Sequence, residues 1–382
     1  MKQCFFDHNA TTPLCPEAKR AWIEASDEHW LNPSSPYRAA AAAKVRLEAA
    51  REELASLLGV AQDRLIFNSG ATEGNNSVFA HWAENLRRDA KIAVSRTEHP
   101  SVIEAAKHYF DQRVVWLPIK SSGGLDAACV TEALEQDHLI CAVSVMAANN
   151  ETGILNDWKE IAALCRARSI DYHCDASQWI GKMPVQGLDR CRYVTGCAHK
   201  FGGPKGIGFL VLPESGTDYH SFLGGEHESG HRAGTEDLAS VLSMTAAVKS
   251  TRIGSSVARD RFIERLLASM PEIEVVGQAT NRLWNTVSLL MPEFESRRWI
   301  RGLEKRGFLV AAGSACSTGK EGPSHVLAAM GVDPAKARRA LRISSDWKTK
   351  DEDWESLAQC IEDLYRAFRL EAKQSPSEVI SI

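Results

Sequence analysis

Through the middle of the chain, short apolar runs alternate with longer stretches whose apolar positions recur at helical spacing. Residues 64–67 form one apolar run, which ends in Asn68-Ser69-Gly70 and gives way to a helix pattern over 72–88. The same alternation predicts strands over 91–95, 114–117, 139–146, 169–174, 192–196 and 208–212, with helices at 101–110 and 157–168. Strands alternating with helices imply crossover connections, hence an α/β fold with a mostly parallel sheet covered on both faces. After residue 239 the pattern turns mainly helical. A long segment over 237–268 is followed by a strand at 285–291, a helix at 295–306, a strand at 308–310 and a C-terminal helix at 351–373. This change predicts a second, smaller α+β domain beginning near residue 250.

Composition narrows the picture a little. A chain of 382 residues suggests two or three domains, and 44% apolar with 25% charged residues is ordinary for a globular protein. The net charge of −4 offers no basic surface for nucleic acid or anionic lipid. The opening MKQCFFDHNATTP reaches Asp7 and Pro13 before any apolar run long enough for a signal peptide. No window approaches the ~20 apolar residues of a membrane span. A cytoplasmic location, with no membrane partner, is therefore expected. The ten cysteines include no C-x-x-C pair and read as reduced thiols, most of them buried small hydrophobes.

Five segments could carry chemistry. Ser69-Gly70-Ala71-Thr72-Glu73 lies where a strand feeds a helix, and small residues there let backbone N–H groups approach a phosphate. Taken alone it reads better as an ordinary strand-to-helix turn with Thr72 as helix cap. Asp175 ends a strand and would face the ligand crevice of such a sheet, with Gln178 three residues on; a plain helix-capping aspartate is the other reading. Residues 195–208 put His199 and Lys200 before a glycine-rich loop that lacks the G-K-[ST] of a Walker motif. A lysine held in a crevice can form a Schiff base, and Lys205 is the rival to Lys200. His227-Glu228-Ser229-Gly230-His231 spells a zinc-protease motif, but Gly224, Gly225, Gly230 and Gly234 make a helix there costly, so a loop is expected and no metal. Finally, only Cys316 among the cysteines lies in a long small-residue stretch, 311–322, with Lys320 near enough to favour a thiolate.

In order and spacing these segments resemble the cysteine desulfurases, in a branch with a longer cysteine loop. The resemblance runs through Asp7-His8-Asn9-Ala10-Thr11-Thr12-Pro13, Asn32-Pro33-Ser34-Ser35, Gly70-Ala71-Thr72-Glu73 and Thr97-Glu98-His99-Pro100-Ser101. It continues through Asn149-Asn150-Glu151-Thr152-Gly153, Asp175-Ala176-Ser177-Gln178, His199-Lys200, Arg232-Ala233-Gly234-Thr235, Gly313-Ser314-Ala315-Cys316 and Leu341-Arg342-Ile343-Ser344.

The resemblance implies a PLP-dependent fold of the aspartate-aminotransferase type (fold type I). A large domain over 13–250 would bind pyridoxal 5'-phosphate, and a small domain over 1–12 and 251–382 would carry the cysteine loop. Lys200 would bear the cofactor and His99 would stack on it. Ala71, Thr72, Asn150, Asp175, Gln178, Cys197 and His199 would complete its site, with Thr235 reaching the phosphate in the partner subunit of a homodimer. Arg342, with Asn32 and Asn150, would bind L-cysteine. Cys316 would take the sulfur as a persulfide and pass it to an acceptor protein, for iron–sulfur clusters or thiolation. One position departs from the family, which usually has serine where this chain has Cys197; a thiol is the weaker donor to phosphate. A selenocysteine lyase, another PLP lyase or aminotransferase of this fold, and a non-catalytic sulfur-transfer scaffold are the alternatives. The intact set Lys200, His99, Asp175, Arg342 and Cys316 weighs against the scaffold.

Overall fold

The structure is a computed structural model and describes residues 3–214, 218–313 and 324–374. Its first half runs β1 (Cys4–Phe5), α1 (Pro16–Glu28), α2 (Arg38–Leu58), β2 (Leu65–Asn68), α3 (Ala71–Asn85), β3 (Lys91–Ser95), α4 (Pro100–Phe110), β4 (Val114–Leu117), α5 (Ala127–Gln136), β5 (Ile140–Ser144), α6 (Trp158–Ala167) and β6 (Asp171–Asp175). There follow β7 (Tyr193–Cys197), β8 (Gly208–Val211), α7 (Leu238–Ser250), α8 (Val257–Ser269), β9 (Glu274–Val275), β10 (Thr286–Leu290), α9 (Ser296–Glu304), β11 (Phe308–Leu309), α10 (His325–Ala329), α11 (Pro334–Ala337), β12 (Ala340–Ser344) and α12 (Asp351–Gln374).

Among the described residues, seven strands form one sheet in the order β2-β8-β7-β6-β5-β3-β4. Only β8 runs against its neighbours, so the sheet is mixed but mostly parallel, as the alternation predicts. Helices cover both faces. Leu47 and Leu54 of α2, Trp158 and Ile161 of α6, and Met244 of α7 pack on one. Phe79 and Trp82 of α3 and Phe110 of α4 pack on the other. A separate core joins Phe6 to Phe262, Leu266, Trp299, Leu303, Ile343, Trp354 and Leu357, around the antiparallel sheet β12-β10-β9 and helices α8, α9 and α12.

Several features differ from the sequence expectation, which named no element at β1, α5, β9, α10, α11 or β12. Helices α1 and α2 were not expected; alanines fill many of the buried positions of α2, so its apolar stripe is faint. The segment over 237–268 is two helices, not one. The break holds Gly254, where an added Cβ would lie 2.5 Å from the Trp284 ring, so the backbone must pass the indole without a side chain. Among the described residues, no helix is long and apolar enough to cross a membrane.

Candidate active site

A cavity of about 580 Å³ opens at the carboxyl edge of the large sheet, where open α/β sheets hold their ligands. Its walls come from the connections that leave β2, β3, β5, β6 and β7, from Arg342 of β12, and from residues 9–11. Ten of the residues singled out in the sequence therefore share one cavity: Ala71, Thr72, His99, Asn150, Asp175, Gln178, Cys197, His199, Lys200 and Arg342.

One end is made by the turn into α3. Gly70 adopts a φ of 137°, and nothing lies within 4 Å of where its Cβ would be. Across from it Gly208 passes so closely that a Cβ there would sit 2.6 Å from Gly70 Cα. Gly70 is thus required by its positive φ and Gly208 by backbone approach, and they leave the positive end of α3 open to the cavity. No side chain caps this helix. Instead Glu73 accepts from the Ser69 N–H at 2.8 Å and pairs with Arg232 at 3.0 Å, so its carboxyl is held below its ordinary range against the cost of burial. The Cys197 thiol is 3% exposed, and burial pushes its pKa up. The Ala71 N–H and the Ser177 hydroxyl lie beside it and oppose that shift. Ser177 Oγ itself makes no hydrogen bond of normal geometry.

At the other end Asp175 is only 6% exposed. Its Oδ1 accepts from the Ser177 N–H and its Oδ2 from Asn75 Nδ2, both at 2.9 Å. Asn75 also donates to Ser101 Oγ, which lies 2.8 Å from His99 Nδ1. Because His99 Nδ1 accepts from the Ser101 N–H at 3.2 Å, the neutral ring carries its proton on Nε2. Burial depresses the His99 pKa; Lys200 and His325 add to this, and Asp175 opposes it. His199 is lowered further, to about 4, by burial and then by Lys200 and Lys205.

Lys200 is half-buried and donates to Asn9 O at 2.7 Å and to Ala10 O at 2.8 Å. Its rival Lys205 also borders the cavity but is exposed. Arg342 is 1% exposed; it donates to Asp7 at 2.6 Å and to Asn150 O at 3.2 Å, while its buried Nε has no partner among the described residues.

Two predicted residues lie elsewhere. Thr235 is exposed and does not border the cavity of its own chain. Asn32 is also exposed, and its side chain closes a turn by accepting from the Ser34 N–H at 2.9 Å. Cys316 lies outside the described residues. The described residues on either side of that segment, Gly313 and Ser324, both meet Glu151 at the cavity wall: Ser324 Oγ donates to Glu151 Oε2, and a Cβ on Gly313 would be 3.2 Å from the same oxygen.

Sequence reasoning did not single out Asn9 and Glu151, which line the cavity and were quoted only inside motifs, nor Asn75, which donates to Asp175. The H-E-x-x-H segment is a loop, with Glu228 at φ 49° and Ser229 at φ 57°, conformations that rule out a helical ligand pair. Glu228 instead forms a buried bidentate pair with Arg51, at 2.6 and 2.8 Å, and accepts from the Phe67 N–H.

The model of the aminotransferase class-V family matches residues 4–357. A cysteine desulfurase of Klebsiella pneumoniae is 35% identical over 92% of this chain and 90% of its own length. The chain belongs to the cysteine desulfurases. Within that family the likeness extends to three dimensions. A NifS-like protein superposes with a TM-score of 0.85 at 27% identity, covering 96% of this chain and all of that one. A structure described as SspA in complex with cysteine gives 0.79 at 26% identity, covering 91% and 99%. The fold is accordingly the fold-type-I arrangement of PLP enzymes, and the class-V family is PLP-dependent.

Proposed function

We propose that this desulfurase converts L-cysteine to L-alanine, leaving the sulfur as a persulfide on Cys316 for a protein acceptor. The observation that carries the reading is the meeting of Lys200, Asp175, His99 and Arg342 around one cavity at the carboxyl edge of the sheet. The cavity fits pyridoxal phosphate: the open end of α3 with its side-chain-free Gly70 suits a phosphate, and the buried Asp175 suits a protonated ring nitrogen. Ala71, Thr72, Cys197 and His199 would hold the phosphate end. Asp175, Gln178, Asn150 and His99 would hold the ring, and Lys200 the reactive carbon. When bound, the cofactor supplies an electron sink beside the substrate's α-carbon.

The chain's own groups do the rest. Arg342, which borders the cavity while bonded to Asp7 and Asn150 O, takes the substrate carboxylate. Lys200 removes the α-proton and returns a proton to the product. His99, neutral near pH 7 because its pKa is depressed, exchanges its Nε2 proton with substrate. The Cys316 thiolate attacks the substrate sulfur; the new S–S bond forms as the carbon–sulfur bond breaks, and the carbon, protonated, becomes the methyl of alanine. The division into a cofactor domain over 13–250 and a small domain over 1–12 and 251–382 belongs to the same proposal and is supported by the separate core around β12-β10-β9. So does a homodimer completing each site with the partner's Thr235.

Purified protein incubated with L-cysteine and a thiol reductant should form alanine and sulfide in equal amounts. Cys316→Ala should keep the cofactor yet lose alanine formation, and one turnover of native protein should add one sulfur to the Cys316 peptide by mass spectrometry. Alanine formation undiminished in Cys316→Ala, or the sulfur found on another cysteine, would reject the mechanism.

A further inference from the structure

Lys182 is a lysine buried to 4% exposure in the turn after β6, and among the described residues no carboxylate pairs with it. Its ammonium donates to Gln178 Oε1 and, at 3.0 Å, to Asn9 Oδ1. Gln178 Nε2 then donates to Asn9 O at 2.9 Å, the same oxygen that receives Lys200 Nζ at 2.7 Å. Asn9 cannot turn to suit other partners. Its Nδ2 donates to Asn150 O at 3.1 Å and Thr286 Oγ1 at 2.9 Å, and its backbone N–H to Ser344 Oγ at 3.0 Å. A protonated lysine offers only N–H groups and Asn9 O can only accept, so the Gln178 atom against Lys182 is oxygen. Gln178 nitrogen therefore faces Asn9 O with one hydrogen and keeps a second, and Gln178 borders the cavity.

We propose that Lys182 is a positioning residue, clamping the Gln178 carboxamide so that a ligand in the cavity meets an N–H donor there and not an oxygen. Evicting a lysine from water without a counter-ion costs free energy that a leucine or methionine would not, so its presence calls for a compensating task. Burial, followed by the charges of Lys200 and Arg342, depresses its pKa, with Cys197 opposing. A neutral amine gains a lone pair but keeps two N–H groups, one for each of its oxygen partners Gln178 Oε1 and Asn9 Oδ1. The inference rests on the proposed function, in which Gln178 would hold the cofactor ring, whose phenolic oxygen is the acceptor an N–H donor there would serve. A donor to that oxygen favours its deprotonated, ring-conjugated form and lowers the pH at which the visible band of the loaded enzyme titrates.

The test is a pH titration of that band in loaded native enzyme, Lys182→Met, Gln178→Ala and the double variant, with thermal melts alongside. Lys182→Met and Gln178→Ala should each move the midpoint up by about one pH unit, and the double variant should move no further than Gln178→Ala alone. Additive shifts would overturn the proposal, because Lys182 would then act by its charge on Lys200 and not through Gln178. So would a native midpoint in Lys182→Met beside a shifted one in Gln178→Ala. An unshifted Gln178→Ala whose Lys200 still carries the cofactor after borohydride reduction would defeat the role of Gln178 and with it the clamp. Absence of the cofactor from Lys200 in native protein would defeat the proposed function itself. Should Lys182→Met not fold, Lys182→Gln, one atom too short to reach Gln178, reads the same shift.

Discussion

The Cys197 thiol faces the backbone N–H groups at the start of α3, where a hydroxyl would be the better partner for an anion. Burial raises its pKa, so at neutral pH it is an uncharged, weak S–H donor. A hydrogen bond to a charged group is worth ~1.5–3 kcal/mol, and a serine hydroxyl should realise more of it than the thiol. Cys197→Ser is expected to retain pyridoxal phosphate through dialysis at least as well as native protein. Markedly faster loss would mean that the thiol does something a hydroxyl cannot. His99 invites a pH measurement. Its pKa lies below the ordinary 6.5, so the ring is neutral above that value and gains its proton only in more acidic solution. An acid limb of kcat/KM due to His99 should thus fall below pH 6.5 and flatten in His99→Gln; a limb unchanged in that variant would assign the ionisation to another group. The site residues that were legible in the sequence are those whose neighbours also matter locally. Lys200 precedes glycines, Asp175 ends a strand, and Gly70 opens a helix. Asn9 and Lys182 were not legible, because what defines them is a contact between residues 173 positions apart.

At the scale of elements, the loop leading to Thr235 is fixed by charge more than by packing. Glu228 and Ser229 sit in the left-handed region, a conformation that costs about 1–3 kcal/mol per residue and persists only where surrounding contacts demand it. The demand comes from Arg51 of α2, whose guanidinium spans both Glu228 oxygens, and from the Phe67 N–H of β2. The Glu228 side chain is 1% exposed. Removing its partner would strand a buried carboxylate, at a cost of about 3–5 kcal/mol. Arg51→Met should lower the unfolding free energy by that order in a denaturant titration, and a loss under 1 kcal/mol would show that the loop relaxes to solvate Glu228. A chelator, by contrast, should leave desulfuration untouched. The glycines around this segment made the loop readable, whereas the strand pattern carried no trace of the Arg51 partner. The helix pattern likewise failed on α1 and α2, where alanine supplies burial without the contrast that periodicity needs.

For the whole molecule, most of the exposed large apolar side chains among the described residues lie on α1, α2, the segment joining them and the loop before Thr235. Trp22 and Ile23 on α1, Trp30 and Tyr37 between α1 and α2, Val45 on α2, and Phe222 and Leu223 before the Thr235 loop are all exposed, Trp30 by 74% and Leu223 by 92%. These elements are linked: Arg51 of α2 holds Glu228, and Arg232 reaches Glu73 in the first turn of α3 while lying over Phe222. A second copy of the chain covering this region would bury its aromatics. On the proposed function the same contact would carry the exposed Thr235 to the partner's cavity, and the Glu73–Arg232 pair would tie that loop to the turn into α3 of its own chain. Cofactor binding and dimerisation should therefore weaken together. Native protein is expected to sediment as a dimer and the double variant Trp30→Asp and Leu223→Asp as a monomer at the same concentration, with circular dichroism little changed because both side chains are exposed. Its retention of pyridoxal phosphate on dialysis should fall, while Lys200 remains the residue labelled after borohydride reduction. A monomer that keeps the cofactor as tightly as native protein would separate the two properties and remove Thr235 from the site. A variant that stays dimeric would put the subunit contact on another face.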